Sequence, residues 1–405
     1  MYNIKTLSNG ITIIHKEITS EAAYCGIVIN TGTRDEDENQ LGIAHFTEHL
    51  LFKGTKKRKS FQILNRIDNI GGEVDAFTSK EDTCVYVAFL YQYYERAVEF
   101  LNEIIFESNF PNEELIKERE VIISEIESYE DNPAEFIFDD FENRLFPDHS
   151  LGFNILGNKK QLKKYKSSDI NNFVATKYNT DQMFFCSIGN IKFEKLIKYC
   201  EKYLGQNLLN VRNFKRINFN NKTKFNQIVN KKTHQSHCII GNYAYSLYDS
   251  KRIYLMLLCH YLAGSGMNAK LISELREKRG LCYNIEANYT PFEDSGNFNI
   301  YFGVNKENTD YTTQIILKEL NNLKTKQLGT LNLHKLKKQY ISQLIFSVES
   351  ISNMLYTIGK SFSIYGQIED IKTSIKKIEQ VNSNKLLEVA NEIFDFDSFV
   401  TLIYK

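Results

Sequence analysis

Two periodicities alternate along the first half of the chain. Apolar and polar residues that alternate strictly predict strands, and apolar residues that recur every three or four positions predict helices. The predicted strands are 11–15, 23–29, 73–77 and 83–90. The predicted helices are 42–52, 60–70 and a long helical region from 113 to about 145. The helix over 60–70 stops at two glycines, Gly71 and Gly72, which commonly end helices.

The second half of the chain repeats this order of elements. The repeated elements are a strand over 237–240, an apolar helix over 254–262, a second helix over 268–278 and a strand over 280–285. Between the halves, residues 210–227 are polar and rich in Lys and Asn, which is typical of a linker. The sequence therefore predicts an α+β fold with two homologous domains, 1–209 and 228–405. Each domain is expected to be a mostly antiparallel sheet with helices packed on one face.

Length and charge narrow the class of protein. A chain of 405 residues is too long for a single hydrophobic core, which agrees with two or three domains. Fifty basic and fifty acidic residues give no net charge, so nothing indicates binding of nucleic acid or of an anionic membrane. The basic run over 53–59 is local, and we interpret it as a solvated loop.

Cysteine usage and hydropathy predict the compartment. The seven cysteines are odd in number, scattered and without a C-x-x-C pair, which predicts free buried thiols in a reducing environment. Residues 1–5 lack the basic flank and apolar core of a signal peptide. No stretch approaches the roughly eighteen uninterrupted apolar residues of a membrane-spanning helix. We therefore expect a cytoplasmic protein that does not bind membranes.

The helix predicted over 42–52 carries two histidines and a glutamate in the order H-x-x-E-H. His45 and His49 are four residues apart, so they share one helix face and both imidazoles can reach one metal ion. Glu48 lies beside that face, where it can hold a water at the metal without binding the ion. The arrangement reverses the H-E-x-x-H pentad of zinc proteases and predicts a catalytic zinc site. The second half has only His260 on an apolar helix, which we interpret as a core histidine.

A catalytic zinc ion normally has three protein ligands, so a third is expected from another helix. The helical region after 113 is rich in carboxylates, and Glu118 and Glu125 are seven residues apart on one face. Val121 and Ile122 between them indicate a partly buried face, where a carboxylate needs a partner such as a metal ion. A solvated acidic helix explains the same residues without a metal, and the spacing alone leaves both interpretations open.

Five segments resemble the M16 metallopeptidases, the inverzincin family that includes pitrilysin, insulin-degrading enzyme and the mitochondrial processing peptidase. They are 42–53 (GIAHFTEHLLFK), 71–78 (GGEVDAFT), 118–125 (EREVIISE), 151–157 (LGFNILG) and 275–283 (LREKRGLCY). The resemblance runs in order over nearly the whole chain. The length is similar to that of the small two-domain bacterial and mitochondrial-type members.

The resemblance implies a zinc ion bound by His45, His49 and Glu125. The third ligand in the family is a glutamate about 76 positions beyond the second histidine, and Glu125 stands at that distance from His49. Glu118 matches a further family glutamate that supports the site without binding the ion. Glu48 is then the catalytic residue that takes a proton from the attacking water and returns it to the leaving amine. Members that have lost activity have degraded pentads, whereas this pentad is intact.

The resemblance also implies two groups of substrate-binding residues. Asp75, Ala76 and Phe77 match the strand that accepts the backbone of an extended peptide. Many members have asparagine at the position of Asp75, a difference that bears on substrate preference rather than on the metal. Arg276 and Tyr283 match an arginine–tyrosine pair that contacts substrate. The arginine suits a peptide carbonyl, and the tyrosine hydroxyl suits a developing oxyanion.

The expected function is therefore that of a zinc-dependent endopeptidase acting on peptides or unfolded segments. Larger family members close four such domains around the substrate, so a chain with two is expected to form a dimer that encloses a chamber. The simplest assembly is a homodimer. The alternative is a non-catalytic assembly subunit that pairs with an active M16-like chain in a heterodimer. The intact ligand set favours the first hypothesis.

Overall fold

The computed structural model describes residues 2–405, which fold into two compact units. Unit 1 comprises the chain up to Glu127, Phe153–Arg216 and Phe346–Glu369. Unit 2 comprises Ser128–Gly152, Ile217–Ile345 and Asp370–Lys405. Each unit has one β-sheet and its own buried apolar core. The predicted α+β fold with two sheet-and-helix domains is confirmed.

Eleven strands form the two sheets within the described residues. They are β1 Asn3–Thr6, β2 Thr12–Glu17, β3 Ala22–Ile29, β4 Glu73–Thr78, β5 Thr83–Leu90, β6 Met183–Gly189, β7 Asn226–Val229, β8 Gln235–Tyr243, β9 Cys282–Pro291, β10 Gly296–Asn305 and β11 Val400–Tyr404. All six strands predicted from the sequence are present, with ends that differ by up to six residues.

Fourteen α-helices are present in the same part of the chain. They are α1 Ile43–Leu50, α2 Ser60–Asp68, α3 Tyr94–Phe106, α4 Asn112–Glu130, α5 Pro133–Leu145, α6 Lys159–Leu162, α7 Ser167–Lys177, α8 Phe193–Tyr203, α9 Arg252–Ala263, α10 Thr309–Thr325, α11 Thr330–Glu349, α12 Ile351–Tyr365, α13 Ile371–Glu379 and α14 Ser383–Ile393. Among residues 2–405, none of the helices combines the length and the apolar character needed to cross a bilayer.

The sheet of unit 1 has the strand order β1-β2-β6-β3-β5-β4, and only β2 and β6 run parallel. β4 is therefore an edge strand, with β5 as its one strand partner in the described chain. Alternate residues of β3 face opposite sides of the sheet. Ile27 packs into the core that contains α1 and α3, whereas Val28 packs with Leu355 and Ile358 of α12. Helices thus cover both faces of this sheet.

The sheet of unit 2 has the strand order β7-β11-β8-β10-β9, with β7 and β11 parallel and the other pairs antiparallel. Ile240 of β8 packs into a core shared with α9, α10 and α14. The next residue back, Ile239, faces the other side and packs with Ile137 and Phe141 of α5. The sequence predicted helices on one face of each sheet. In both units a further helix, α12 in unit 1 and α5 in unit 2, covers the other face.

The helical region predicted over 113–145 consists of two helices. Helix α4 ends at Glu130, and α5 begins at Pro133. Proline has no backbone N–H and disfavours helical geometry in the residue before it, so it suits the first turn of a new helix. The two helices bury their apolar faces in different cores, since Ile122 lies with the unit 1 residues and Ile137 with those of unit 2.

The division into units is not contiguous along the chain. Residues 210–225, most of the predicted linker, form neither helix nor strand, and the units change between Arg216 and Ile217. However, 128–152 belongs to unit 2 and 346–369 to unit 1, unlike the contiguous domains 1–209 and 228–405 that the sequence predicted. The physical reason is apolar burial, because α12 packs on the sheet of unit 1 and α5 on that of unit 2.

Candidate metal centre

Helix α1, which carries the H-x-x-E-H motif, starts at a tight backbone contact. Gly42 precedes the helix with φ of +82°, a left-handed conformation that favours glycine. A Cβ atom at Gly42 would lie 2.7 Å from the carbonyl oxygen of Leu156, and Gly157 also has a positive φ against the same turn. The two glycines, from the 42–53 and 151–157 segments, therefore let two backbones approach and fix the start of α1.

His45, His49 and Glu125 come together in unit 1. One potential ligand atom from each residue lies within 4.8 Å of the others. The imidazoles belong to successive turns of α1, and the carboxylate reaches them from α4, with Nε2 of His49 3.8 Å from Oε2 of Glu125. His45 is buried, His49 is half-buried, and the side chain of Glu125 is 45% exposed. The predicted ligand set thus forms one cluster that opens to solvent at Glu125.

The chemistry of this cluster fits a zinc ion. Two imidazole nitrogens and a carboxylate oxygen form a common ligand set of catalytic zinc sites. Burial, assisted by the nearby His49, lowers the pKa of His45 to about 3, so its imidazole is neutral and able to bind a metal. Nδ1 of His45 is also buried without a hydrogen-bond partner among the described residues, which leaves this imidazole with unused bonding capacity.

Glu118 holds His49 from the side opposite Glu125. Its Oε2 lies 3.3 Å from Nδ1 of His49, and its Oε1 lies 2.8 Å from Nζ of Lys53. A proton on Nδ1 that is donated to Glu118 leaves Nε2 with a lone pair on the side of Glu125. The sequence predicts that the basic run over 53–59 is a solvated loop, and for Lys53 this prediction is wrong, because its side chain is only 27% exposed and is ion-paired. Its ammonium group is paired with the buried carboxylate of Glu118 because both lie beside the end of α1.

Glu48 is buried next to the two histidines and is held by a strand residue. The hydroxyl of Thr78, the last residue of β4, donates a hydrogen bond of 2.7 Å to Oε2 of Glu48. Burial raises the pKa of Glu48, and the hydrogen bond from Thr78 and the nearby His49 oppose that rise. A raised pKa suits a group that must both accept and return a proton.

The predicted substrate-binding residues of β4 lie on the edge strand of unit 1. Asp75 is exposed, and its carboxylate accepts hydrogen bonds from the hydroxyl of Tyr86 and from the backbone N–H of Ala76. Ala76 and Phe77 are half-buried, and Phe77 packs edge-on against Tyr356 of α12. The strand therefore has its side chains anchored, while one backbone edge has no strand partner in the described chain.

Arg276 and Tyr283 lie together in unit 2. The guanidinium carbon of Arg276 is 4.8 Å from the centre of the Tyr283 ring, which is cation–π contact distance. Tyr283 is 82% exposed, so its hydroxyl is accessible. Arg276 belongs to a π-helix, Ile272–Glu277, where a helix was expected over 268–278. π-Helical turns are rare and often occur at functional sites.

The sequence analysis missed three residues near the candidate ligand cluster of the two histidines and Glu125. Thr78 binds Glu48, Lys53 binds Glu118, and Glu36 accepts hydrogen bonds from the first turn of α1. Thr78 and Lys53 each lie within segments that carry the family resemblance, which is the signal that could have found them. Glu36 lies outside those segments, and no local pattern marks it.

Family models match most of the chain. The model described as "Insulinase (Peptidase family M16)" matches residues 12–159, and the one described as "Peptidase M16 inactive domain" matches residues 165–340. The chain belongs to peptidase family M16. In this M16 chain the metal-ligand cluster falls within the first matched segment. Within residues 2–405, it is the one group of three or more His, Cys, Asp or Glu side chains placed to hold a metal ion.

The M16 chain is similar over its full length to proteins described as uncharacterized zinc proteases. YmxG of Bacillus subtilis is 29% identical over 401 residues, which is 98% of this chain and 97% of that protein. A Rickettsia bellii protein is 28% identical over 397 residues, 97% of this chain and 95% of that protein.

Two solved structures share the fold of this M16 chain. A protease from Helicobacter pylori superposes with a TM-score of 0.92 at 20% identity, covering 100% of this chain and 99% of its own. A structure described as a peptidase M16 inactive domain, from Pseudomonas fluorescens, superposes with a TM-score of 0.90 at 16% identity. The match covers 100% of this chain and 98% of that chain. The sheet-and-helix architecture of both units is therefore an M16 fold.

Proposed function

We propose that this M16 chain is a zinc-dependent endopeptidase that cleaves peptides or unfolded segments. The observation that carries the proposal is the cluster of His45, His49 and Glu125, with Glu48 buried beside it. A degraded pentad would argue for a purely structural subunit, whereas all the motif residues are present here. The names of the relatives, which are called zinc proteases, support the same reaction class.

The reaction divides among residues of unit 1. His45, His49 and Glu125 would hold the zinc ion, which would supply the Lewis acid needed to activate water and polarise the scissile carbonyl. Glu48 takes the proton from the attacking water and transfers it to the leaving amine. Thr78 fixes the orientation of the Glu48 carboxylate through its hydrogen bond. The partial burial of the site keeps these interactions strong, since solvent screens them less.

An extended substrate would bind along the free edge of β4. Backbone hydrogen bonds to residues 75–77 align a peptide independently of its side chains, so varied sequences are accepted. Thr78 links this strand directly to Glu48. Binding at the edge therefore places the peptide next to the general base.

A mixed peptide library tests the proposed activity. The purified protein loaded with zinc should cleave many library members at internal bonds, and a chelator should stop cleavage until zinc is restored. A zinc-loaded, folded protein that cleaves none of them would instead favour the alternative, a non-catalytic subunit of an assembly with an active M16-like partner.

We further propose that the active form is a dimer, most simply a homodimer, that encloses a chamber. In such a dimer, Arg276 and Tyr283 of one chain would serve the zinc site of the other. Two inactive variants, Glu48→Gln and the double variant Arg276→Ala/Tyr283→Phe, should then complement each other. After subunit exchange, each mixed dimer has one complete site and regains at most about half of the wild-type activity.

The control for complementation is a measurement of subunit exchange, for example by energy transfer between labelled chains. If each chain completes its own site, a mixed dimer contains two defective sites and regains nothing. Exchange without recovered cleavage would therefore exclude the shared site. Full activity from a strictly monomeric species would exclude the dimeric chamber.

A further inference from the structure

A buried carboxylate caps the metal-binding helix from outside it. Glu36 lies six residues before Gly42 and is only 6% exposed. Its Oε2 accepts a hydrogen bond of 2.9 Å from the backbone N–H of Gly42, and its Oε1 accepts one of 2.8 Å from that of Ala44. Both oxygens are thus used at the start of α1, one residue before His45.

The first turn of a helix has backbone N–H groups that no residue of the helix can accept. The residue before a helix usually provides an acceptor side chain, but α1 is preceded by Gly42, which has none. Glu36, which lies six residues earlier in the chain, provides the acceptor oxygens instead. Burial raises the pKa of its carboxyl to about 8, and the hydrogen bonds from Ala44 and Gly42 oppose that rise.

The segment that carries Glu36 is fixed to the β4–β5 turn. The backbone N–H of Thr33 donates to the carbonyl oxygen of Ser79 at 3.1 Å, and that of Arg34 donates to the carbonyl oxygen of Lys80 at 2.6 Å. The guanidinium of Arg34 forms a buried ion pair of 2.6 Å with Glu81. The loop is therefore held to the turn by backbone bonds and by buried charges, which require their partners to stay in place.

We propose that Glu36 is a positioning residue of the metal centre, which holds the first turn of α1, and with it His45, in place relative to β4. The loop joins both elements that build the site. At one end Glu36 binds the start of α1, and at the other the loop binds the turn that follows Thr78, the partner of Glu48. This inference rests on the zinc site proposed above.

Two substitutions remove different parts of this cap. Glu36→Gln keeps one oxygen acceptor and turns an amide N–H₂ toward the other backbone N–H, so one of the two hydrogen bonds is lost. Glu36→Ala removes both and leaves buried N–H groups without acceptors. Glu38→Gln is the matched control, because Glu38 is a nearby glutamate that is exposed.

The test measures zinc affinity by competition with a chelator, the absorption spectrum of the Co²⁺-loaded protein, and the melting temperature of the metal-free protein. Glu36→Gln should raise the Kd for zinc about tenfold, the effect typical of losing a group that orients a ligand. The Co²⁺ bands should shift, because they report ligand geometry. Glu36→Ala should raise the Kd further, and Glu38→Gln should leave both readouts unchanged.

A lower melting temperature with wild-type zinc affinity and an unchanged Co²⁺ spectrum in Glu36→Gln would show a merely structural role and overturn the inference. Should Glu36→Ala fail to fold, the glutamine variant decides the matter alone. His49→Ala is measured in parallel. If His49→Ala keeps wild-type zinc affinity, the proposed zinc site is wrong. If His49→Ala loses zinc while Glu36→Gln keeps wild-type affinity, only the proposed role of Glu36 is wrong.

Discussion

Replacement of Glu48 by glutamine should lower peptide cleavage by about 10²–10⁴-fold, the contribution typical of a general base, while zinc stays bound. The amide has nearly the shape of the carboxylate and can still accept the hydrogen bond from Thr78. It cannot take a proton from water. The loss should therefore appear in kcat, measured on a peptide found in the library experiment, with zinc content determined on the same sample.

Glu120→Gln provides the control for this variant. Glu120 is an exposed glutamate of α4, the helix that also carries Glu118 and Glu125, so its replacement should change neither zinc content nor cleavage. Glu48→Gln with zinc bound and with nearly wild-type kcat would remove Glu48 from the reaction and require another base.

The second large effect concerns zinc binding. His45→Ala, His49→Ala and Glu125→Ala should each weaken zinc binding by more than the 10–100-fold that the loss of an orienting partner typically costs. Each variant removes one of three ligand atoms that lie within 4.8 Å of one another, and no other group of this kind is present in residues 2–405. Elemental analysis after dialysis should find little zinc in all three.

His334→Ala is the matched control, because His334 is an exposed histidine of α11 that does not belong to the candidate ligand cluster. It should retain the wild-type amount of zinc. Full zinc content in His49→Ala would contradict the ligand assignment, whatever the activity of that variant.

The part of the site that sequence could predict is the part that is local. His45 and His49 fall on one face of α1 because a separation of four residues is slightly more than one helical turn, so their proximity needs no knowledge of the tertiary fold. Glu125 is different, since spacing within α4 could not distinguish a metal ligand from a solvated carboxylate. Its selection came from the family resemblance, and the structure places it at the histidines.

The remaining contacts depend on how distant segments pack. Thr78 reaches Glu48 only because β4 passes beside α1, and Glu36 reaches the start of α1 only because its loop is held to the β4–β5 turn. Neither contact produces a periodic pattern in the sequence from which it could be predicted. The same limit explains the division into units, because an apolar face on α12 does not by itself specify the sheet on which that face packs.

The most direct test of the proposed centre is a crystal structure of the zinc-loaded protein with anomalous scattering recorded on both sides of the zinc absorption edge. We expect one strong anomalous peak per chain, about 2.0–2.2 Å from a nitrogen of His45, a nitrogen of His49 and an oxygen of Glu125. A zinc peak at another place, or full zinc content without a peak at these three residues, would contradict the proposed site.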